Sequence, residues 1–229
     1  MGAQAANPKR LGVVVVGQSP RPEIVAQLRT VIAPDVAIEV RGALDGMTRA
    51  QIARIPPANG HDALFTRLPD GAAVKISKAV VEHRAKAVIE GFAGRGMSAT
   101  MMCCTGDFPA LEGGHVVVLP SAILAGLVQG LLPRGRLGLF VPLADQIGTL
   151  DSKWRRAGIE IASVAMTPGC TDAEIDRAAT EMQALSPDLV VMDCMSYTQA
   201  MKDRVRRTLP MPLILGIAAT AHVVSELLT

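Results

Sequence analysis

Residues 11–23 read LGVVVVGQSPRPE, and this stretch decides the fold class. The run Leu11–Val16 is almost wholly apolar and rich in valine, which is typical of a strand covered on both faces of a parallel sheet. The segment after it places Pro20, Pro22 and Glu23 where a helix would begin, because proline is tolerated in a first turn and a carboxylate suits the positive end of the helix dipole. A buried strand that leads into a helix is the repeating unit of α/β proteins.

The same alternation of strand and helix patterns continues along the chain, which predicts an α/β fold with parallel sheets and covering helices. The strands are predicted at residues 11–16, 37–40, 98–103, 115–119, 137–141, 159–164, 188–194 and 212–215. The helices are predicted at residues 24–32, 48–55, 77–89, 121–132, 145–157, 171–185, 198–208 and 220–228. Residues 64–68 and 73–76 flank Pro-Asp-Gly and predict a hairpin. Gly91, Gly94 and Gly96 are expected to end the third helix. The second half repeats the element order of the first, which suggests pseudo-twofold symmetry.

Composition narrows the classes of partner. The chain has 229 residues, 49% of them hydrophobic, so it can bury a substantial core. A net charge of +2 and six aromatic residues (one Trp, one Tyr, four Phe) disfavour nucleic acid as a partner. The longest apolar runs fall far short of the roughly 18 residues of a membrane span, so no membrane association is expected. The first residues match neither a signal peptide nor a myristoylation motif, and four cysteines without a disulfide pattern fit a cytoplasmic location.

Two of the predicted strands end in cysteine. Residues 101–106 read MMCCTG and residues 191–197 read VMDCMSY. The carboxyl ends of strands are where open α/β sheets bind ligands, so two lobes facing each other would bring a thiol to each side of one cleft. Thiols on opposite faces of a carbon can remove a proton from one face and return one to the other.

Burial offers another interpretation of the cysteines, because free cysteine is among the most buried residue types. Neighbouring side chains on a strand point to opposite faces, so Cys103 and Cys104 are not both expected to face the cleft, and Asp193 is expected to point away from Cys194. Cys170 precedes a predicted helix and is interpreted as a helix-entry residue.

Four motifs, in this order and at this spacing, resemble the AroM family. They are VVVVGQSPRPE at 13–23, CCTGDFP at 103–109, LFVPLADQ at 139–146 and LVVMDCMSY at 189–197. The resemblance covers residues 11–228 and implies membership of the aspartate/glutamate racemase superfamily. It implies two Rossmann-like lobes in pseudo-twofold arrangement with the active-site cleft between them, residues 1–118 with 218–229 forming one lobe and residues 119–217 the other. It also implies one catalytic cysteine from each lobe and no metal or organic cofactor.

The resemblance places the second catalytic cysteine at Cys194, while the first falls on either Cys103 or Cys104. Alignment to the Cys-Asn-Thr turn of the superfamily favours Cys103, and the Cys-Thr-Gly of the AroM family favours Cys104, which we choose. The Gly-Cys-Thr-His turn of many racemases is replaced here by Asp-Cys-Met-Ser at 193–196. The substrate-binding residues are predicted as Gln18, Ser19, Arg21, Thr105, Gly106, Ser196 and Tyr197.

These residues predict a cofactor-independent racemase or isomerase acting on a small carboxylate or amino-acid-derived substrate. Backbone N–H groups at the loops would bind the carboxylate, and Arg21 would pair with it, unless Arg21 is a solvated surface residue. The alternatives are a decarboxylase or maleate-isomerase-like enzyme with one essential cysteine, and a binding or sensor protein without catalysis. His61, His83, His115 and His222 lack the spacing of a zinc site, so no metal is expected. The expected partner is a small-molecule carboxylate, and a homodimer is the assembly considered.

Overall fold

The structure is a computed structural model that describes residues 9–111, 115–148 and 153–229. Its strands are β1 (Arg10–Val15), β2 (Ala37–Gly42), β3 (Ala63–Arg67), β4 (Ala73–Ser77), β5 (Ala99–Cys103), β6 (Val117–Val118), β7 (Gly135–Val141), β8 (Ile159–Ala165), β9 (Leu189–Met192) and β10 (Leu213–Leu215). Its α-helices are α1 (Pro22–Arg29), α2 (Arg49–Ile52), α3 (Lys78–Gly94), α4 (Pro120–Leu131), α5 (Asp172–Ala184), α6 (Gln199–Val205) and α7 (Gly216–Leu228). Apart from the differences described below, the predicted elements are present, and their ends shift by no more than three residues.

Two parallel sheets form the fold, so the predicted α/β class is confirmed. The first has the order β2-β1-β5-β6, and the second, from the other edge, the order β8-β7-β9-β10. If the antiparallel β3–β4 hairpin is left out and the strands of each half are counted along the chain, both sheets have the spatial order second, first, third, fourth. The cysteine-bearing strands β5 and β9 are therefore equivalent, each next to the first strand of its half. The predicted pseudo-twofold layout is present.

The valine run of β1 and the residue after it explain why the first sheet is covered on both faces. Val13 and Val15 pack into one hydrophobic cluster and Val14 and Val16 into another, as alternation along a strand requires. All four are at most 6% exposed. Gly12 lies against the Phe92 ring of α3, where an added Cβ would be 2.6 Å from Cδ2. This close approach fixes α3 on the sheet.

The predicted helix at 145–157 is absent from the described part of this segment. Residues 144–146 form a single 3₁₀ turn, Lys153 has 3₁₀ conformation, and residues 154–158 are not helical; residues 149–152 lie outside the described residues. Gly148 has a left-handed φ of 78°, which is incompatible with a continuing α-helix. Of the described apolar residues in this segment, Trp154 is buried in a cluster with Leu137 and Val191, whereas Ile147 is exposed.

Two helices differ from prediction in length. α3 runs through Gly91 to Gly94 instead of ending at Ile89, because Val81, Ala85, Ile89 and Phe92 form one buried stripe. α7 begins at Gly216, four residues before the predicted start at Thr220. A Cβ at Gly216 would be 3.0 Å from the Met192 carbonyl oxygen, so a small residue lets this helix follow β10 directly.

α7 and the hairpin join the two halves of the chain. α7 packs against α1 and β5 of the first half and against α4 and β10 of the second. Arg67 of the hairpin donates to the Pro168 carbonyl at 2.7 Å, and Gln146 donates to the Ala63 carbonyl at 3.0 Å. The lobe boundaries at 118/119 and 217/218 stay a prediction; the second of them falls within α7, which packs on both halves. Within the described residues, no helix combines the length and hydropathy needed to span a bilayer.

Candidate active site

The two cysteine loops follow the carboxyl ends of the two equivalent strands. Cys104 follows the last residue of β5, and Cys194 lies two residues after the end of β9. The Cys104 Sγ accepts a hydrogen bond from the Gly106 amide at 3.4 Å, and the Cys194 Sγ accepts one from the Ser196 amide at 3.5 Å. The same thiol turn, closed by the amide two residues further on, therefore occurs in both halves.

Both loops border one cavity where the halves meet. Its described lining residues are Val15, Val16, Arg21, Ile24, Leu64, Phe65, Thr66, Cys103, Cys104, Thr105, Gly106, Pro142, Gln146, Asp193, Cys194, Met195 and Ser196. The cavity measures about 40 Å³ for the centres of water-sized molecules, enough for about three waters. Strand ends from both sheets and the hairpin strand β3 form its walls, so a ligand there would contact both halves.

Cys103 and Cys104 both border this cavity, although strand alternation predicted that one of them would not. Their side chains nevertheless pack on opposite sides, Cys103 in the cluster of Val13 and Met101, and Cys104 against the cluster of Val16 and Met102. Cys103 is 6% exposed, whereas Cys104 is half-buried and its sulfur accepts the Gly106 amide. Only Cys104 therefore matches Cys194 in its local geometry.

Burial controls the ionisation of all three thiols. It raises the pKa of Cys104 to about 11, against the opposing effects of the Gly106 amide and the Lys153 ammonium. It raises the pKa of Cys194 to about 12, where the Ser196 amide opposes it and Cys104 adds to it. Burial raises the pKa of Cys103 furthest. At neutral pH these thiols are protonated, and Cys104 is the one that ionises most readily.

A buried ion pair joins the cysteine loops across the two halves. Lys153 Nζ donates to the Thr105 carbonyl at 2.6 Å and to the Asp193 carboxylate at 2.8 Å. Trp154 Nε1 donates to the other carboxylate oxygen at 3.1 Å, and the Thr105 hydroxyl donates to the Asp193 carbonyl at 3.0 Å. The Asp193 carboxylate is held in this network, although Asp193 borders the same cavity as Cys194. Sequence reasoning missed Lys153 and Trp154, whose only signal was their place in an incorrectly predicted helix.

Four of the seven predicted substrate-binding residues line the cavity: Arg21, Thr105, Gly106 and Ser196. Arg21 is only 8% exposed, so the alternative of a solvated surface arginine is wrong. Its guanidinium pairs with the half-exposed Glu23, and it is the only lysine, arginine or histidine among the described lining residues. A carboxylate in the cavity would therefore meet this one cation.

Gln18, Ser19 and Tyr197 do not belong to the described lining, because each polar group is engaged elsewhere. Gln18 donates to the Met47 carbonyl at 2.8 Å. The Ser19 amide and hydroxyl both donate to the Asp45 carboxylate, each at 2.8 Å. Tyr197 is fully buried, and its hydroxyl donates to the Met166 carbonyl at 2.5 Å. The structure therefore places the polar groups of these three residues in hydrogen bonds within the protein, and their predicted contacts with substrate stay a prediction. The described residues also hold no cluster of three or more His, Cys, Asp or Glu side chains suited to a metal.

Known structures share this fold. Allantoin racemase from Klebsiella pneumoniae is 15% identical over 96% of this chain and 87% of its own, with a TM-score of 0.64. An arylmalonate decarboxylase is 13% identical over 96% and 92%, with a TM-score of 0.61. Maleate cis-trans isomerase from Nocardia farcinica, solved as a serine variant with a covalently bound succinylcysteine intermediate, is 13% identical over 96% and 92%, with a TM-score of 0.62. At these identities the likeness shows the two-lobed racemase fold alone.

Sequence comparison gives the family. No curated protein matches the chain. The family model described as AroM protein matches residues 11–228, which includes both cysteine loops, Arg21 and Lys153. The chain therefore belongs to the AroM family.

Proposed function

We propose that this protein is a cofactor-independent racemase or isomerase that moves a proton at the carbon next to a carboxylate. One observation carries the proposal: two thiols from equivalent strands of the two halves border a single cavity. A planar enolate formed in such a cavity has one thiol near each face, so a proton removed on one side can be replaced on the other.

Cys104 is the proposed base and Cys194 the proposed acid. Burial raises the pKa of Cys104 to about 11 and that of Cys194 to about 12; the Gly106 amide and then the Lys153 ammonium favour the Cys104 thiolate, whereas no cation is among the main influences on Cys194. The Cys104 thiolate would take the α-proton, and the electron pair of the C–H bond would move into the carboxylate to give an enolate. The Cys194 thiol would then donate its proton to the opposite face. In the reverse direction the two residues exchange roles.

Arg21 is the proposed carboxylate partner. Its burial strengthens a charge-assisted contact with an anion, and a guanidinium can bind both oxygens of a carboxylate at once. As negative charge builds on the enolate oxygens, the same guanidinium would stabilise it, with further backbone amides at the cysteine loops available as donors. The Gly106 and Ser196 amides already bond the thiols, which favours the thiolate forms instead.

The rest of the lining favours an apolar substituent on the substrate. Leu64, Phe65 and Met195 present hydrocarbon and thioether surface to the cavity. Asp193 is the only acidic residue in the described lining, and its carboxylate is already bonded by Lys153 and Trp154. An amino acid would have to bury its ammonium without a free carboxylate partner, which is costly. Of the two predicted substrate classes, the small carboxylic acid is therefore favoured over an amino-acid-derived one.

A decarboxylase is the second candidate function, because the two thiols are electrostatically unequal. Lys153 acts on Cys104, whereas Cys194 has no cation among the main influences on its pKa. Such asymmetry suits a reaction in which one cysteine protonates a carbanion after loss of CO₂, or one in which one cysteine adds to a maleate-like substrate. A binding or sensor protein on the same fold is the non-catalytic alternative.

Deuterium exchange distinguishes these functions. The wild type, Cys104→Ser, Cys194→Ser and the control Cys170→Ser would be incubated in D₂O with a panel of 2-aryl and 2-alkyl carboxylic acids, the matching malonates and maleate. Cys170 does not belong to the described cavity lining, so its replacement should leave exchange unchanged. A racemase or isomerase loses α-deuteration with either cavity cysteine, whereas a decarboxylase loses CO₂ release with one. Full α-deuteration in either cavity variant would contradict the two-thiol mechanism.

Location, partner and oligomeric state complete the proposal. All four cysteines are free thiols, which fits a reducing cytoplasm. The partner is a small carboxylate, with no organic cofactor required by the proton transfers described. Homodimerisation stays a prediction that sedimentation of the purified protein would test.

A further inference from the structure

Lys153 occupies the junction of the two cysteine loops. Its ammonium bonds the carbonyl of Thr105, the residue after Cys104, and the carboxylate of Asp193, the residue before Cys194. The two loops come from different sheets and are joined a second time by the Thr105 hydroxyl and the Asp193 carbonyl. One side chain therefore bonds both the residue that follows Cys104 and the residue that precedes Cys194.

The surroundings of this ion pair are unlike those of a surface salt bridge. The Asp193 side chain is fully buried and that of Lys153 is 12% exposed, with its ammonium 4.9 Å from the centre of the Trp154 ring. Taking both charges out of water is costly, so such a pair is weak evidence for a role in stability. The surface pair Lys75–Asp145, by comparison, is about half exposed on both sides. Because this buried ion pair joins the two cysteine loops at the cost of desolvating both charges, we look for its role in the active site.

We propose that Lys153 is a positioning residue that holds the Cys104 and Cys194 loops at the shared cavity and whose positive charge favours nucleophilic attack by Cys104. The inference rests on the proposed function, in which these two thiols react. Its test is the reactivity of the thiols themselves, which requires no substrate.

Several groups influence the ionisation of Cys104. They are the Gly106 amide, Lys153, Asp193, Lys78, Cys103 and Cys194, while Arg21 acts on the neighbouring Cys103. Replacing Lys153 by a neutral residue removes a nearby cation and leaves the Asp193 charge uncompensated, so both changes disfavour the thiolate. Replacing Asp193 by asparagine leaves the cation and removes the opposing charge, so the thiolate becomes more favourable. The two substitutions therefore act in opposite directions, although each breaks the same bridge.

The experiment measures alkylation of each cysteine by iodoacetamide at pH 9, with mass spectrometry resolving the sites. A rise of about one unit in pKa lowers the thiolate fraction tenfold but raises its nucleophilicity about threefold, so the rate falls about threefold. We expect Lys153→Met to slow Cys104 by at least about threefold. Asp193→Asn should accelerate Cys104 by a similar factor, and Lys153→Arg should stay near the wild-type rate.

Two controls separate the effect of the Lys153 charge on Cys104 alkylation from the effect of a locally opened structure. Cys170 does not belong to the described cavity lining and serves as a reference thiol in every sample, while Lys86→Met removes an exposed lysine from α3. Lys153→Gln, which keeps a hydrogen-bond donor without the charge, replaces Lys153→Met if that variant does not fold. A purely structural bridge would accelerate Cys104 in both neutral Lys153 variants and in Asp193→Asn, because each would open the cavity.

The outcomes are distinct. Slower alkylation in the neutral Lys153 variants and faster alkylation in Asp193→Asn support the inference. An unchanged or faster Cys104 in Lys153→Met or Lys153→Gln overturns it, as does an unchanged or slower Cys104 in Asp193→Asn. If the alkylation pattern holds but no acid of the deuterium-exchange panel reacts, the proposed function fails while the influence of Lys153 on the thiols stands.

Discussion

Replacing Arg21 with methionine should weaken carboxylate binding by about two orders of magnitude while leaving the fold intact. Methionine keeps most of the apolar length of the side chain and removes the guanidinium. Arg21 is 8% exposed, and no other lysine, arginine or histidine is among the described lining residues. Its ion-pair partner Glu23 is 53% exposed and can be solvated when left alone, so we expect the free energy of unfolding to change by no more than about 1 kcal/mol.

The expected loss of affinity follows from the contact that a buried guanidinium makes with a carboxylate. A hydrogen bond to a charged group contributes about 1.5–3 kcal/mol, and the upper end applies to a bidentate pair away from water. A loss of about 3 kcal/mol corresponds to roughly a 150-fold increase in Kd. Lys in place of Arg21 retains the charge but not the bidentate geometry, so its Kd should lie between those of the wild type and Arg21→Met.

Isothermal titration calorimetry with acetate and phenylacetate would measure the effect. Acetate should bind more tightly than phenylacetate, because a cavity with room for about three waters must open to admit the ring beside Leu64 and Phe65. Arg49→Met is the matched control, since Arg49 is 72% exposed and pairs with Asp70 on the surface. A Kd for Arg21→Met within threefold of the wild-type value, in a variant that melts normally, would refute the assignment of Arg21 as the carboxylate partner.

Three further predictions concern stability. Burial raises the pKa of Cys104 from 9.0 to about 11, so the folded state favours the protonated thiol. This contribution to the free energy of unfolding is complete below pH 9 and is lost as pH rises towards 11. Between these pH values, the free energy of unfolding from urea titration should therefore fall less in Cys104→Ser than in the wild type. Tyr197→Phe leaves the buried Met166 carbonyl without its hydroxyl donor and should lower the free energy of unfolding by about 1–3 kcal/mol in urea titration; an unchanged value would contradict the buried hydrogen bond. Gly12→Ala places a Cβ 2.6 Å from the Phe92 ring and should lower the free energy of unfolding by about 1–3 kcal/mol in thermal unfolding. An unchanged value would mean that the Phe92 ring moves aside without cost and would contradict this prediction.

The sequence was sufficient for the architecture because its signals are local. Three examples each determine the structure of only the few residues around them. They are the valine run of β1, the turn residues between β3 and β4, and the Thr171 cap of α5. Parallel strands joined by helices leave few arrangements, so the order of elements was enough to predict two equivalent sheets. The cysteine loops then follow from the rule that strand ends carry ligand sites.

The details of the site could not be read in the same way, since they depend on partners far along the chain. Lys153 contacts Thr105 and Asp193, which are 48 and 40 residues away. Gln18 and Ser19 lie at a strand end, as a ligand-binding residue should, but the loop at 44–47 supplies the partners of both side chains. A polar residue near a site becomes a ligand contact only if no closer protein group satisfies it, and sequence position does not reveal that competition.

The symmetry of the fold and the asymmetry of its charges have different consequences for the proposed chemistry. Symmetry places Cys104 and Cys194 in the same amide-closed turn on either side of one cavity, which supplies two similar thiols but no reason for either to ionise first. The lysine at the seam breaks this equivalence, because its effect on Cys104 opposes the burial that raises both pKa values. If the two thiols work as proposed, Lys153 sets which one begins as the base, and Arg21 sets where the substrate's charge must lie between them.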